Sequence, residues 1–300
     1  MHVLEDSWAG REDAMSDPIS RALRSLDGLS LGDAFGELFF FFSPEHTDWN
    51  DLPEEKWRWT DDTHMALSIV EVLKKFGHID QDALAEAFGR RYLEEPTRGY
   101  AGGARRLLMQ IGTGSDWRDI APKLFGGGSF GNGAAMRIAP LGAYFAGDPT
   151  RAAEEARRSA VVTHAHPEGV AGAIAVAVAA SLAAGPSFPK GVEFIREVIR
   201  FVPEGETSHR LVSALGIPAA ESILAMNTLG TGYQVSAQDT VPFCVWNAAH
   251  HLGCYEEALW STVRGRGDCD TTCAIVGGIV ALTAEIPSTW LVRREPLPPM

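Results

Sequence analysis

Trp59-Thr60-Asp61-Asp62-Thr63 sets two adjacent carboxylates between two hydroxyls, directly ahead of Met65, Ala66, Ile69, Val70, Val72, Leu73 and Phe76. Those apolar positions follow the i, i+3, i+4, i+7 spacing of an amphipathic helix, so the Thr-Asp-Asp-Thr group is predicted to open a helix. The chain repeats the design far downstream. Gly265-Arg266-Gly267-Asp268-Cys269-Asp270-Thr271-Thr272 precedes Ala274, Ile275, Val276, Ile279, Val280 and Leu282. Ser, Thr and Asp are ordinary N-caps, and acidic residues in a first turn suit the helix dipole. Capping needs one oxygen, however, and each stretch offers several. Neither pair of carboxylates has a lysine one turn on to balance it. If the two stretches meet in the fold, Asp61, Asp62, Asp268 and Asp270 together carry a charge of about −4, which demands compensation. Two divalent cations supply it. Carboxylate and hydroxyl oxygens suit Mg²⁺ or Mn²⁺ rather than Zn²⁺.

A second stretch is the most glycine-dense in the chain: Gly126-Gly127-Gly128-Ser129-Phe130-Gly131-Asn132-Gly133. Glycine has no Cβ and tolerates positive φ, so backbone N–H groups there can approach an anion closely. A helix is predicted over 134–146, and its N-terminus would add donors of its own. No Gly-Lys-Ser/Thr follows, so this is not a P-loop, and no clear strand precedes it, so it is not a dinucleotide fingerprint. The plain alternative is a tight turn between helices.

Composition narrows the function classes. The 300 residues carry a formal net charge of −13 and are 45% hydrophobic. That content supports a sizeable core, and the acidic balance disfavours a nucleic-acid surface, which needs clustered Lys and Arg. The N-terminus shows no charged segment followed by an apolar one, and the longest apolar run, residues 169–184, is shorter than a bilayer span. No membrane partner and a cytoplasmic location are therefore expected. Cys244, Cys254, Cys269 and Cys273 read as free thiols, because Cys269-x-x-x-Cys273 lacks a second ligand pair for zinc.

Five motifs now stand in order: Gly32-Asp33-Ala34-Phe35-Gly36, the Thr60–Thr63 group, residues 128–137, Thr163-His164 and Gly267-Asp268-Cys269-Asp270-Thr271. Together they resemble the ADP-ribosylglycohydrolases, the dinitrogenase reductase-activating glycohydrolase-like group, over roughly residues 26–285. The resemblance implies an all-α, single-domain orthogonal helical bundle with a dinuclear metal cleft. It implies hydrolysis of the C1″ glycosidic bond of ADP-ribose carried by a protein side chain or a small molecule. Thr60, Asp61, Asp62, Asp268, Asp270 and Thr271 would hold two Mg²⁺ or Mn²⁺ ions. Gly128, Ser129, Phe130, Gly131, Asn132 and Gly133 would bind the diphosphate, with Phe130 stacking on adenine. His164 would reach the ribose or phosphate side, whereas His166 matches no binding position. Asp61 and Asp62 are the candidates for activating water or protonating the leaving group. Arg98, a candidate phosphate or acceptor contact or else an ordinary solvated arginine, lies in a loop that borders the cleft in the family, and Gly230-Thr231-Gly232-Tyr233 in one near the distal ribose.

The chain departs from the family at one point. Many members carry a Glu where this sequence has Phe40, eight residues after Gly32. Glu37 would share a face with position 40 if the helix continued, which makes it a third catalytic candidate. The Phe39–Phe42 run reads as core, or else as a lining of the cleft. Asp33 reads as structural. Two other classes stay open: a metal-dependent hydrolase of another ADP-ribose or nucleoside derivative, and a non-catalytic ADP-ribose-binding member.

Helical periods recur from about residue 20 to 285, with no convincing alternating strand. The expected organisation is an extension over 1–18, one domain over 19–290 and a disordered tail over 291–300. A monomer is the default.

Overall fold

A computed structural model describes residues 17–300, and at Trp49 the backbone alone. Most of the extension expected over 1–18 therefore lies outside the described residues. Helix α1 (Pro18–Leu38) already begins at its end. Asp17 caps it by accepting the amides of Ile19 and Ser20, and Pro18 sits in the first turn, where a missing N–H costs nothing. Leu23, Leu26 and the Leu29–Gly36 stretch all lie in this one helix.

Helix α2 (Asp61–Phe76) opens on Thr60, whose hydroxyl accepts the Asp62 amide, and stops at Gly77 with φ 73°. Lys74 and Lys75 fill its last turn, where cations complement the carbonyl end. The chain continues through α3 (Gln81–Glu94), α4 (Gly102–Gly112) and α5 (Trp117–Ile120). The glycine-rich loop comes next, then α6 (Ala139–Tyr144), α7 (Pro149–Val161) and the Ala-rich α8 (Pro167–Ala183). Helices α9 (Gly191–Ile199), α10 (Glu206–Ala214) and α11 (Ser222–Leu229) lead to α12 (Ala237–His251), and α13 (Tyr255–Val263), α14 (Cys269–Val280) and α15 (Ser288–Leu291) complete the fold. Among the described residues the β-structure amounts to isolated bridges, Trp57 with Arg294 and Gly131 with Ser236. The fold is all-α, as expected. No described helix is long and apolar enough to cross a membrane.

The helix expected over 134–146 is much shorter. A 3₁₀ turn spans Asn132–Ala134, and α6 starts only at Ala139. Pro140 explains this, because proline is accommodated in a first turn and not in a helix interior. The break between the two pieces carries Arg137 inward.

Buried apolar side chains from Ala22 to Trp290 form one continuous cluster. Its most intimate contact joins the two ends of the chain. Gly28, Gly32 and Gly36 form a stripe on α1 that lies against the backbone of α14. A Cβ on Gly32 would sit 2.1 Å from the Cys273 carbonyl oxygen, and one on Gly36 would sit 2.1 Å from that of Cys269. Only glycine permits such an approach, and it brings the start of α14 beside the last turns of α1.

The end of the chain, read from sequence as a loose tail, is placed against this body. The Glu295 amide donates to the Trp57 carbonyl at 2.8 Å, and the Glu295 carboxylate takes two bonds from Arg98, at 2.7 and 3.0 Å.

Candidate functional site

The two acidic helix starts meet. Carboxylate oxygens of Asp33, Asp62 and Asp270 all lie within 4.8 Å of one another, and the Thr271 hydroxyl faces Asp62 Oδ1 at 3.5 Å. Asp61, Asp62, Asp268, Asp270 and Thr271 line one end of a cavity of about 320 Å³. Thr60 stands just outside that lining, its hydroxyl engaged as the cap of α2.

Electrostatics mark this cluster as under-compensated. Burial first, and then the charges of neighbouring carboxylates, push Asp62 and Asp270 well above the usual carboxylate range. Asp61 is pushed up to about 8, by burial and then by Asp33. Burial raises Asp268 too, against the lowering effect of its bond from Asn132. Asp62 Oδ2 is buried without a hydrogen-bond partner. An orphaned carboxylate oxygen among like charges, with only oxygen donors around it, fits hard divalent cations.

Asp33 belongs to the same group of three but is already occupied. It accepts the Thr60 amide at 2.9 Å, the Thr63 amide at 3.0 Å and the Thr63 hydroxyl at 2.5 Å. It thereby ties α1 to the first turn of α2. Burial pushes it up to about 6, which these hydrogen bonds oppose.

Glu37 sits half-buried one turn further along α1. Burial raises its pKa, with Arg58 lowering it and Asp268 raising it. The helix ends at Leu38, so positions 37 and 40 do not continue along one helical face. The aromatic run expected in the core divides: Phe39 is buried, Phe42 is partly buried, and Phe40 and Phe41 are 51% and 81% exposed. A tight turn after Leu38 points successive side chains in different directions, so a single burial class cannot hold for all four.

The cavity's second wall is the glycine-rich loop. Ser129, Phe130, Gly131, Asn132 and Gly133 line it, together with His164. Gly128 does not. Its φ is 90°, and a Cβ there would lie 2.5 Å from the His166 amide nitrogen, so it packs beneath the loop. The Ser129 hydroxyl accepts the Gly131 amide at 3.2 Å and closes the turn. Among the described residues the amides of Ser129 and Phe130 have no acceptor, which leaves them for a ligand. Asn132 reaches across to the carboxylates. Its side-chain amide donates to Asp268 Oδ2 at 2.7 Å and to Thr240 at 3.1 Å. Expected at the ligand, it lines the cavity and also steadies a candidate metal ligand. His166 caps α8 by accepting the Glu168 amide.

Arg98 is withdrawn from the ligand. It is 6% exposed and lies flat on Trp59, 3.5 Å from the ring centroid. Its guanidinium bonds Glu95, Glu295 and the Trp59 carbonyl. It braces the approach to Thr60 from behind.

Sequence reasoning missed the apolar wall. Leu107 and Leu108 on α4, with Leu124, Phe125 and Met136, add apolar side chains to the cavity lining. Phe125 is 65% exposed at φ 55° and, like Phe130, is an exposed aromatic ring of the lining. Its place just ahead of the glycine run was the available signal. Tyr100, whose hydroxyl lies 2.9 Å from His64 Nδ1 behind Asp61, was missed as well.

Known proteins resemble this chain in sequence and in fold. ADP-ribosylhydrolase ARH3 of Xenopus tropicalis is 31% identical over 65% of this chain and 59% of its own length. ADP-ribosylarginine hydrolase Tri1 of Serratia proteamaculans is 22% identical over 92% of this chain and 75% of its own. The solved structure of an ADP-ribosylglycohydrolase-related protein complex superposes with a TM-score of 0.65 at 23% identity, covering 93% of this chain and 94% of that one, and shares the fold. The sequence pattern of the ADP-ribosylglycohydrolases matches residues 14–296. With that match across nearly the whole length, the chain belongs to the ADP-ribosylglycohydrolase family of hydrolases.

Proposed function

We propose that this protein cleaves the C1″ glycosidic bond of ADP-ribose carried by a protein side chain or a small molecule, and that it does so with divalent cations bound. One observation carries the reading. Two acidic helix starts meet at one end of a cavity whose other wall is a glycine-rich loop with unsatisfied amides. A sugar fits the first end and a diphosphate the second.

Asp61, Asp62, Asp268, Asp270 and Thr271 would hold the cations, with Thr60 capping the helix that presents two of them. When bound, such ions supply Lewis-acid grip on the ribose hydroxyls and on a water, and stabilise charge as the bond breaks. The protein's own groups do the rest. The Ser129 and Phe130 amides receive phosphate oxygens. Phe130 and Phe125 flank the mouth, where adenine stacks. Asp61 and Asp62 are the carboxylates placed to move a proton to the leaving group or from water. Glu37 is the half-buried carboxylate nearest them that is not needed as a ligand, and it is the second candidate for that step.

The test is ADP-ribose titration by calorimetry with Mg²⁺, with Mn²⁺ and with chelator, followed by product analysis on arginine- and serine-linked ADP-ribose. Cation-dependent binding and release of free ADP-ribose are expected. Binding that ignores chelator, or a product other than ADP-ribose, overturns the reading.

A further inference from the structure

Arg137 is completely buried, and among the described residues no carboxylate lies within ion-pair distance of it. Its Nη2 donates to the Ser159 carbonyl at 3.2 Å and to the Thr163 hydroxyl at 2.9 Å. The guanidinium also lies 4.3 Å from the centroid of the Phe88 ring. Burial pushes its pKa down to about 9, so it remains a cation at neutral pH. A buried, unpaired charge is costly, and its placement calls for an explanation.

The Thr163 hydroxyl in turn lies 2.8 Å from His164 Nδ1. A threonine hydroxyl has one proton to donate. Its oxygen already accepts from Arg137, which has only donors to offer. Among the described residues the acceptor in reach of the Thr163 proton is His164 Nδ1. Nδ1 then accepts, and in a neutral ring the proton belongs on Nε2. Burial and the Arg137 charge hold His164 down to about 3, so the ring is neutral at physiological pH.

His164 Nε2 faces the glycine-rich loop. A Cβ on Gly133 would sit 3.0 Å from it, and one on Gly131 would sit 3.4 Å away. No protein acceptor meets Nε2 among the described residues, and the ring lines the cavity.

We infer that Arg137 and Thr163 are positioning residues that fix the tautomer of His164, so that a neutral imidazole presents an Nε2–H donor to an anionic or hydroxyl oxygen held at the glycine-rich loop. With the opposite tautomer, Nε2 would turn a lone pair toward that oxygen, which repels an anion and leaves a hydroxyl to act only as donor. The buried charge therefore acts on the ligand at one remove, through a hydroxyl, and without an ion pair that would rob the ligand of a partner. The ligand's identity rests on the proposed function; the tautomer does not.

The experiment reads the imidazole nitrogens of His164 by long-range ¹H–¹⁵N NMR in the ligand-free protein, assigned by loss of the signal in His164→Gln. Wild type is expected to show Nδ1 as the unprotonated and Nε2 as the protonated nitrogen. Thr163→Ser should preserve this pattern. Thr163→Val should lose the single tautomer and weaken ADP-ribose binding about tenfold, the effect of one hydrogen bond to a charged group. A protonated Nδ1 in wild type overturns the inference, as does a Thr163→Val protein that keeps the wild-type tautomer. The wild-type spectrum decides even if Thr163→Val fails to fold. An Nε2–H tautomer that depends on Thr163, in a protein that does not bind ADP-ribose, supports the relay and counts against the proposed function alone.

Discussion

Asp33 Oδ2 accepts both the amide and the hydroxyl of Thr63, at 3.0 and 2.5 Å. A carboxylate on α1 thus holds the first turn of α2 in place from the side, immediately behind Asp62. Asp33→Asn would turn one of these acceptors into a donor facing other donors. Divalent-cation affinity is expected to fall about 10–100-fold, the usual cost of disturbing groups that orient metal ligands. Calorimetric titration of Mg²⁺ or Mn²⁺ into the variant checks this. Unchanged affinity would mean that α2 holds its geometry without Asp33.

Gly32 meets the Cys273 carbonyl where a Cβ would stand only 2.1 Å away. Gly32→Ala must push α1 from α14 and should cost about 1–3 kcal/mol, as overpacking in close-packed interiors does. Thermal melts and metal titrations should worsen together, because the same displacement separates Glu37 and Asp33 from Asp270. Gly102→Ala, at a position with nothing within 4 Å, serves as the neutral control.

Arg98 divides a structural reading from a ligand reading. Arg98→Met removes its bonds to Glu295 and Trp59 and should lower stability by on the order of 2 kcal/mol. The KM of the folded variant at low temperature should stay near wild type. A KM that rises with stability unchanged would restore Arg98 to the ligand.

The carboxylate cluster sets a pH dependence whose sign is opposite to the common one. Asp33 and Asp61 have folded pKa values of about 6 and about 8, above the ordinary 3.8. The folded chain therefore binds protons more tightly than the unfolded one, and stability falls as pH climbs through that window. Chelated protein should lose thermal midpoint between about pH 5 and pH 8, and added Mg²⁺ or Mn²⁺ should restore most of it. Equal midpoints with and without cation at the upper end would contradict cation binding at this cluster.

Phe130 is 45% exposed, with its ring 5.5 Å edge-on from His166. Phe130→Tyr should keep ADP-ribose affinity, and Phe130→Ala should weaken it by about 1–3 kcal/mol, the range for losing one stacked base. Competition by adenosine should weaken in parallel. A Phe130→Ala protein with wild-type affinity would remove adenine from this end of the cavity.

The helices and the two acidic starts were legible because each rests on local rules. Thr60 caps, Gly77 terminates, and the apolar period of α2 runs uninterrupted. The meeting of those starts was not legible, since it depends on backbone contact across Gly32 and Gly36 with the far end of the chain. Local reasoning failed in three places for identifiable reasons. Pro140 was passed over, and with it the late start of α6. Phe40 and Phe41 follow a helix end that hydrophobicity alone does not mark. Arg98 was read as a candidate ligand contact or a solvated side chain, and its partner Glu295 comes from a distant segment.

The glycine stripe has a consequence for biosynthesis. Asp33, Asp61 and Asp62 come from α1 and α2, and Asp268 and Asp270 from the start of α14, more than two hundred positions later in the sequence. During translation the early helices leave the ribosome long before their partner exists. The stripe on α1 must wait, bare of the helix it is shaped for, until α14 emerges. A cation that needs the whole cluster would therefore act only at the final docking event, and no truncated product that lacks α14 can assemble the complete set of carboxylates.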